Sequence, residues 1–409
     1  MTSERARARL GPTPLPAQVM TVAGSWVGAA AAYQAAIAGT LPWHDAVADK
    51  AAKLMDAIRA ADMAAVGQAV AQGAQDRLAA FIAGVEAYQR HPYRRALTAP
   101  PALAQVGSAR LLDYGARTRT RARRPVAVFV PSLVNPATVL DLSGEASLMR
   151  YLARRGVRPL LIDWGCPDDE ERGFDITAYV TRRLIPLLEA ARARRGTPIT
   201  LVGYCMGGNL ALAASLLRPD LVARLALLAT PWDFHAAGMA APHLMTALAA
   251  SLEPVMAAQG VLPAECLQLV FAALDPLLID RKFRRFATLD PESAAARAFV
   301  ALEDWSNSGP PLAAPVAREV FAAWYRDNAP GQNRWRVADA TIDPARLAVP
   351  SLVVLPAGDR IVPPACAGAL AARLPGAQRL SPKAGHVGMI VGARGKTSLW
   401  RPLAAWLKV

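Results

Sequence analysis

"PITLVGYCMGGNLALAASLL", residues 198–217, decides how the rest of the chain is read. Its first half is a short apolar run suited to a buried strand, and its second half is built of strong helix formers. Between them Cys205 sits in the frame Gly203-Tyr204-Cys205-Met206-Gly207-Gly208. A strand, a sharp glycine-flanked turn at one nucleophilic side chain and then a helix make a nucleophile elbow. The glycines have a mechanical purpose, because a residue held in strained backbone geometry tolerates no bulky neighbours. The helix that starts behind the turn aims its positive end and free N–H groups at the sulfur. That arrangement favours thiolate and can receive an oxyanion. An isolated cysteine is usually a small buried hydrophobe, and Cys166, Cys266 and Cys366 are read that way. The frame sets Cys205 apart.

Outward from the elbow, short apolar runs recur: "VAVFV" (126–130), "RPLLIDW" (158–164), "LVARLALLAT" (221–230) and "PSLVVLPAGD" (350–359). They have the character of strands buried on both faces. Helical stretches separate them, "GEASLMRYLARRG" (144–156) and "TAYVTRRLIPLLEAARARRG" (177–196) among them. Strand–helix alternation predicts an α/β fold with right-handed crossovers and a mostly parallel sheet. The alternation stops over about 235–345, where the sequence reads as helices. Lying between two core strands, that block is expected to be a helical cap over the carboxyl edge of the sheet, where open α/β sheets bind ligands. The predicted organisation is a helical N-terminal region, 1–110, and a catalytic domain, 111–409, carrying the cap. The prolines of "TAPPALAQVG" (98–107) break the N-terminal helices, and the arginine run "ARTRTRARRP" (116–125) reads as an exposed connection.

Composition narrows the function classes. The 409 residues are 53% hydrophobic and 19% charged, with a net charge of +14, which suits a large buried core. The positive charge would favour acidic partners such as the phosphates of coenzyme A, although a general arginine bias on solvated faces accounts for it as well. No nucleic-acid-binding motif accompanies it, so a nucleic-acid role is rejected. The four cysteines form no CxxC pair, and no His/Cys cluster has metal-ligand spacing; no metal site and no cofactor are expected. The N-terminus carries no apolar run with a cleavage site behind it, so a cytoplasmic protein with reduced thiols is expected. Residues 10–43 hold no charged side chain and are long enough to span a bilayer. Their Ala/Gly-rich composition gives weak transfer into lipid, and a buried or interfacial helix is the expectation.

An elbow nucleophile needs a base, and the base an orienting acid, in the chain order nucleophile, acid, histidine. "VVLPAGDRIVPP" places Asp359 just past a strand, and "SPKAGHVGMIVG" places His386 in a glycine-flanked loop further on. Of the five histidines, His386 alone follows the last strand. His91 reads as a packing contact, and His235, at the entrance to the cap, is left without a role. The oxyanion donors are expected to be the backbone N–H groups of Met206 and of Val134, in the loop after the first core strand, with Asn135 shaping that loop.

With these residues placed, the chain from about Leu111 onward resembles the polyhydroxyalkanoate synthases, which have the α/β-hydrolase fold. The resemblance is carried in order by "PSLVN", "LDL", "LIDWGCPD", "GYCMGG", "TPWDF", "LEDWSNSGPP", "AAWYRDN", "GDRIVPP" and "GHVGMIVG". It implies that Cys205 carries a growing acyl chain as a thioester, that Asp359 and His386 complete a triad, and that the substrate is an (R)-3-hydroxyacyl-CoA. The partners expected with it are the polyester chain, the surface of a polyester granule and a second copy of the chain. One departure is Arg360, where family members commonly have histidine after the aspartate. Two other functions fit parts of the pattern. The same triad in a wet pocket would make a thioesterase or depolymerase, and a chain that kept only the fold would be a non-catalytic granule protein.

Overall fold

The structure, a computed structural model, describes residues 9–43, 45–116, 124–194 and 198–409. His44, the first eight residues and the arginine run from 117 to 123 lie outside the described residues. The chain divides into two compact units. One comprises Met1–Tyr93 with Asp275–Asn307, the other Arg94–Leu274 with Ser308–Val409.

The first unit is helical, as the N-terminal sequence predicts, with helices Leu15–Ile37, Ala48–Arg59 and Met63–Arg90. Its core is Val22, Phe81, Val85, Tyr88, Phe283, Phe286, Ala296 and Val300. Half of that list comes from helices Leu278–Phe286 and Ala294–Ser306, which the sequence assigns to the cap. The boundaries at 110 and at 235–345 are therefore corrected. The reason is a close approach that local pattern cannot show. A Cβ on Gly84 would lie 2.1 Å from the Phe283 carbonyl oxygen, so the two helices meet backbone to backbone there. Phe283 then packs edge-on against Phe81, Tyr88 and Phe299. Asp304 accepts from Arg9 Nε at 2.6 Å and from the Tyr88 hydroxyl at 2.9 Å. His91 is a packing residue, its Nε2 bonding to the Pro291 carbonyl at 2.9 Å. The uncharged segment forms the helix Leu15–Ile37, with Val22 buried and Met20 and Val27 exposed. No helix among the described residues is long and apolar enough to cross a membrane.

The second unit is built on an eight-stranded sheet: β1 (Ala102–Val106), β2 (Ala109–Asp113), β3 (Val126–Val130), β4 (Arg158–Asp163), β5 (Ile199–Tyr204), β6 (Val222–Leu228), β7 (Ser351–Val354) and β8 (Gln378–Leu380). The spatial order is β1-β2-β4-β3-β5-β6-β7-β8, parallel from β3 to β8 with β1 and β2 antiparallel at one edge. The β1–β2 hairpin straddles the predicted boundary at 110. It is hard to read from sequence because its turn rests on Gly107, at φ +59°, behind a proline-rich lead.

Every residue of β5 is buried, consistent with a central strand flanked by β3 and β6. Helix Met206–Leu217 starts directly behind it and stays buried through Ser215. Two glycines permit this. A Cβ on Gly207 would sit 2.1 Å from the Val130 oxygen and 2.4 Å from the Pro131 oxygen, and one on Gly208 would meet Thr230 Oγ1 at 1.8 Å.

These contacts lead to a stability prediction. Gly207→Ala pushes against backbone that cannot yield, so it should destabilise by about 1–3 kcal/mol, read as a lower urea midpoint at unchanged slope. Gly144→Ala, where no atom lies within 4 Å of the added carbon, should leave the midpoint in place.

Candidate active site

The elbow is strained as its sequence requires. Cys205 has φ 56° and ψ −132°, a left-handed conformation that a non-glycine residue adopts at about 1–3 kcal/mol. Two backbone bonds hold it there, from Cys205 N–H to the Leu228 oxygen (2.9 Å) and from Gly208 N–H to the Cys205 oxygen (2.8 Å). The thiol is half-buried and packs on Val362, Cys366 and Ala367. Cys366 is buried as expected and Cys266, half-buried, packs against the core, but Cys166 is exposed, so the small-hydrophobe reading fails for that one.

Parallel strands bring the predicted residues to one edge. Cys205 follows β5, Asp359 follows β7 and His386 follows β8. Asp359 and His386 are buried, and His386 Nδ1–H donates to Asp359 Oδ2 at 2.7 Å. The other carboxylate oxygen of Asp359 accepts the Ile361 and Val362 amides, both at 2.9 Å, which fixes the acid's orientation. The sulfur of Cys205 lies close enough to His386 to act on its ring electrostatically. With Nδ1 committed to Asp359, Nε2 is the ring nitrogen left for another partner.

Burial is the largest influence on His386 and favours the neutral ring. The nearby sulfur of Cys205 and the hydrogen-bonded carboxylate of Asp359 oppose it, and together they push the imidazole up to about 10. Tyr204, the last residue of β5, was not singled out from the sequence. Its ring stacks on His386 with centroids 5.2 Å apart, and its hydroxyl reaches the His386 carbonyl at 3.4 Å. A tyrosine directly before the nucleophile is the only sequence signal it leaves.

Met206 heads the elbow helix, where the first-turn N–H groups have no partner within the helix. Val134 differs from expectation. Its N–H already donates to Ser132 Oγ at 3.0 Å, so an oxyanion would have to displace that hydroxyl. Asn135, at φ 66°, accepts from Gln268 Nε2 at 3.3 Å and lies against Gly309, which suits a shaping role. The loop is anchored further on by buried Asp141. That carboxylate accepts from Arg150 at 2.8 Å, from Arg95 at 3.1 Å and from the Tyr114 hydroxyl at 3.0 Å. Within this unit the cap residues Gln268 and Asn328 bond to loops that follow β3 and β6. Arg360 is exposed.

A family model described as the alpha/beta hydrolase fold matches residues 139–393. Curated relatives share more. The poly(3-hydroxyalkanoate) polymerase subunit PhaC of Haloferax mediterranei is 28% identical over 302 residues, 73% of this chain and 61% of that protein. The polymerase subunit of the same name from a Synechocystis species is 28% identical over 293 residues, 69% of this chain and 78% of that one. The chain belongs to the α/β-hydrolase fold family, and these polymerase subunits are relatives to which it is similar. The match thus spans less than two thirds of the Haloferax synthase. Among solved structures, a thermophilic esterase from Thermogutta terrifontis is 19% identical with a TM-score of 0.47, covering 78% of this chain and all of the esterase.

The histidine sets a pH dependence. Its folded pKa is raised from 6.5, so its stabilising contribution is complete below about 6.5 and is lost as pH rises towards about 10. In Cys205→Ala the sulfur's charge is gone, and the His386 ring resonances should titrate at lower pH by NMR. An unchanged midpoint would mean that the sulfur and the imidazole are uncoupled.

Proposed function

We propose that the chain is an acyltransferase that polymerises (R)-3-hydroxyacyl-CoA into polyhydroxyalkanoate, with Cys205, His386 and Asp359 as its triad. The observation that carries this reading is the strained elbow that holds Cys205 at the strand edge where Asp359 and His386 form their hydrogen bond at 2.7 Å. The relatives, named as polymerase subunits for 3-hydroxyalkanoates, support the substrate class.

The chemistry follows from the positions. His386 takes the thiol proton, and the thiolate attacks the thioester carbonyl of the acyl-CoA. The developing oxyanion lies at the Met206 N–H, with the Val134 N–H available only if Ser132 releases it. The tetrahedral adduct collapses, and coenzyme A leaves with the proton from the imidazolium. The acyl group is now on Cys205. His386 then deprotonates the 3-hydroxyl of the next unit, whose oxygen attacks the thioester and forms the ester bond. Acyl-CoA enters as substrate, and no step calls for a cofactor. The polyester chain, a granule surface and a homodimeric arrangement in the cytoplasm accompany this reading.

Purified protein given 3-hydroxybutyryl-CoA should yield polymer and free coenzyme A. Free 3-hydroxybutyrate as the sole acyl product would replace this function with hydrolysis. Cys205→Ala, His386→Gln and Asp359→Asn should each lower coenzyme A release at least about 100-fold, the lower end for losing a positioned acid or base. Wild-type rates in Cys205→Ala would remove the thioester mechanism.

A further inference from the structure

The loop after β6, "TPWDFH" (230–235), has no part in the chemistry above, yet it is bonded on two sides. Towards the triad, the Trp232 amide donates to Cys366 Sγ at 3.4 Å and the Asp233 amide to the Cys366 carbonyl at 3.3 Å. Cys366 is one of the residues on which the Cys205 thiol packs. Towards the cap, the Phe234 amide donates to Asn328 Oδ1 at 3.0 Å, and Asn328 Nδ2 returns a bond to Asp233 Oδ1 at 2.9 Å. The same Asp233 oxygen accepts the His235 amide at 3.0 Å. His235 Nε2 meets the Tyr325 carbonyl at 2.9 Å, and since a carbonyl can only accept, that nitrogen carries the proton.

The partner segment Val320–Arg326 is one of three π-helical stretches among the described residues, a form frequent at functional sites. Two residues past its end lies Asn328, a buried residue at φ 47°. Strain at that position persists only because the surroundings over-determine it, and Asn328 has both ends of its amide bonded. Tyr325, within the π stretch, packs its ring edge-on against Phe234 at 4.8 Å. Burial raises the Tyr325 hydroxyl pKa, and the nearby Cys366 and Cys205 thiols add to that rise.

We propose that Asp233, His235 and Asn328 are positioning residues. They form a polar clasp that fixes the Tyr325 end of the cap beside Cys205 and so limits how much of the acyl-enzyme water can take in place of the 3-hydroxyl group. The fixing part of this inference stands on the geometry alone. The part concerning water rests on the polymerase reading above. Opening the clasp leaves the triad intact, because none of the three residues touches His386 or Asp359 through the bonds described, but it lets the cap lift from the thioester. The acyl–sulfur bond would then break by attack of a water oxygen, its proton passing to His386, and a free 3-hydroxy acid would leave.

Two measurements on the full chain test this separately. Alkylation of Cys205 by iodoacetamide, followed by mass analysis of its peptide, needs no substrate. His235→Ala and Asn328→Gly should each accelerate it about 5- to 10-fold, the population shift that one lost hydrogen bond permits. Glycine suits the positive φ at 328, so that variant removes the amide without straining the backbone. His235→Gln keeps an N–H donor and should return the rate to within about 2-fold of wild type. Wild-type rates in both disrupted variants overturn the clasp. The second measurement is the ratio of free 3-hydroxybutyrate to polymer from 3-hydroxybutyryl-CoA. It should rise in the disrupted variants and recover in His235→Gln. Faster alkylation with an unchanged ratio overturns the control of water. If the wild type itself releases only hydroxy acid while alkylation still rises in the variants, the polymerase reading fails and the clasp stands.

Discussion

The second unit depends on a backbone constraint at Cys205. A residue at φ 56° between a buried strand and a buried helix can be held only if three chain segments come nearly into backbone contact. Gly203 lies against Gly208, Gly207 against the end of β3, and Gly208 against Thr230 after β6. Each approach excludes a side chain, so the three glycines are explained by space more than by conformational freedom. The strain of about 1–3 kcal/mol is small against the burial of β5 and the elbow helix. It fixes the sulfur at one point relative to three strand ends, and the loops carrying acid, base and oxyanion donors need only arrive at that edge.

Much of this was legible because elbow chemistry is local. A strand, two glycines and a helix lie within twenty consecutive letters, and parallel alternation determines which ends of the strands share an edge. The order Cys205, Asp359, His386 then places three distant residues together without knowledge of any angle. What stayed hidden was non-local. Nothing near Phe283 or Gly84 announces that their backbones touch, so a helical insertion that looks like a single cap divides between two units. The β1–β2 hairpin escaped because prolines lead into it and its strands hold a single β-branched residue, Val106. The Ser132 hydroxyl on the Val134 amide is a side-chain choice within a turn, and no periodicity reports it.

The electrostatics of the site follow from burial more than from net charge. The chain is strongly basic, yet the described ion pairs put many arginines to structural use, as with Arg95 and Arg150 on Asp141. Near the sulfur the charges are few and enclosed. A buried imidazole would stay neutral if alone. Beside the carboxylate of Asp359 and the sulfur of Cys205 its pKa is pushed up instead. In the proposed reaction such a histidine would be well supplied with a proton for the departing coenzyme A thiol. It would become a good base for a hydroxyl only once acylation had removed any charge on the sulfur. On that reading acylation itself would switch His386 from acid to base.

The proposed thioester route would also account for cysteine where many elbows have serine. Transfer from one thioester to another is nearly balanced, so the acyl-enzyme keeps enough driving force to esterify an alcohol, whereas a serine ester would have lost it on the first step. The same retained reactivity exposes the intermediate to water, which is always at higher concentration than any hydroxyacyl group. A deprotonating histidine accepts either nucleophile. Selection must then come from what reaches the thioester, and the half-buried sulfur, the π-helical turn at Tyr325 and the bonds between Asp233 and Asn328 are the features of this unit able to exert it. In a wetter elbow the same three side chains would make a hydrolase, so on the proposed mechanism the difference between building polyester and cleaving it would lie in the fit of the cap above the sulfur.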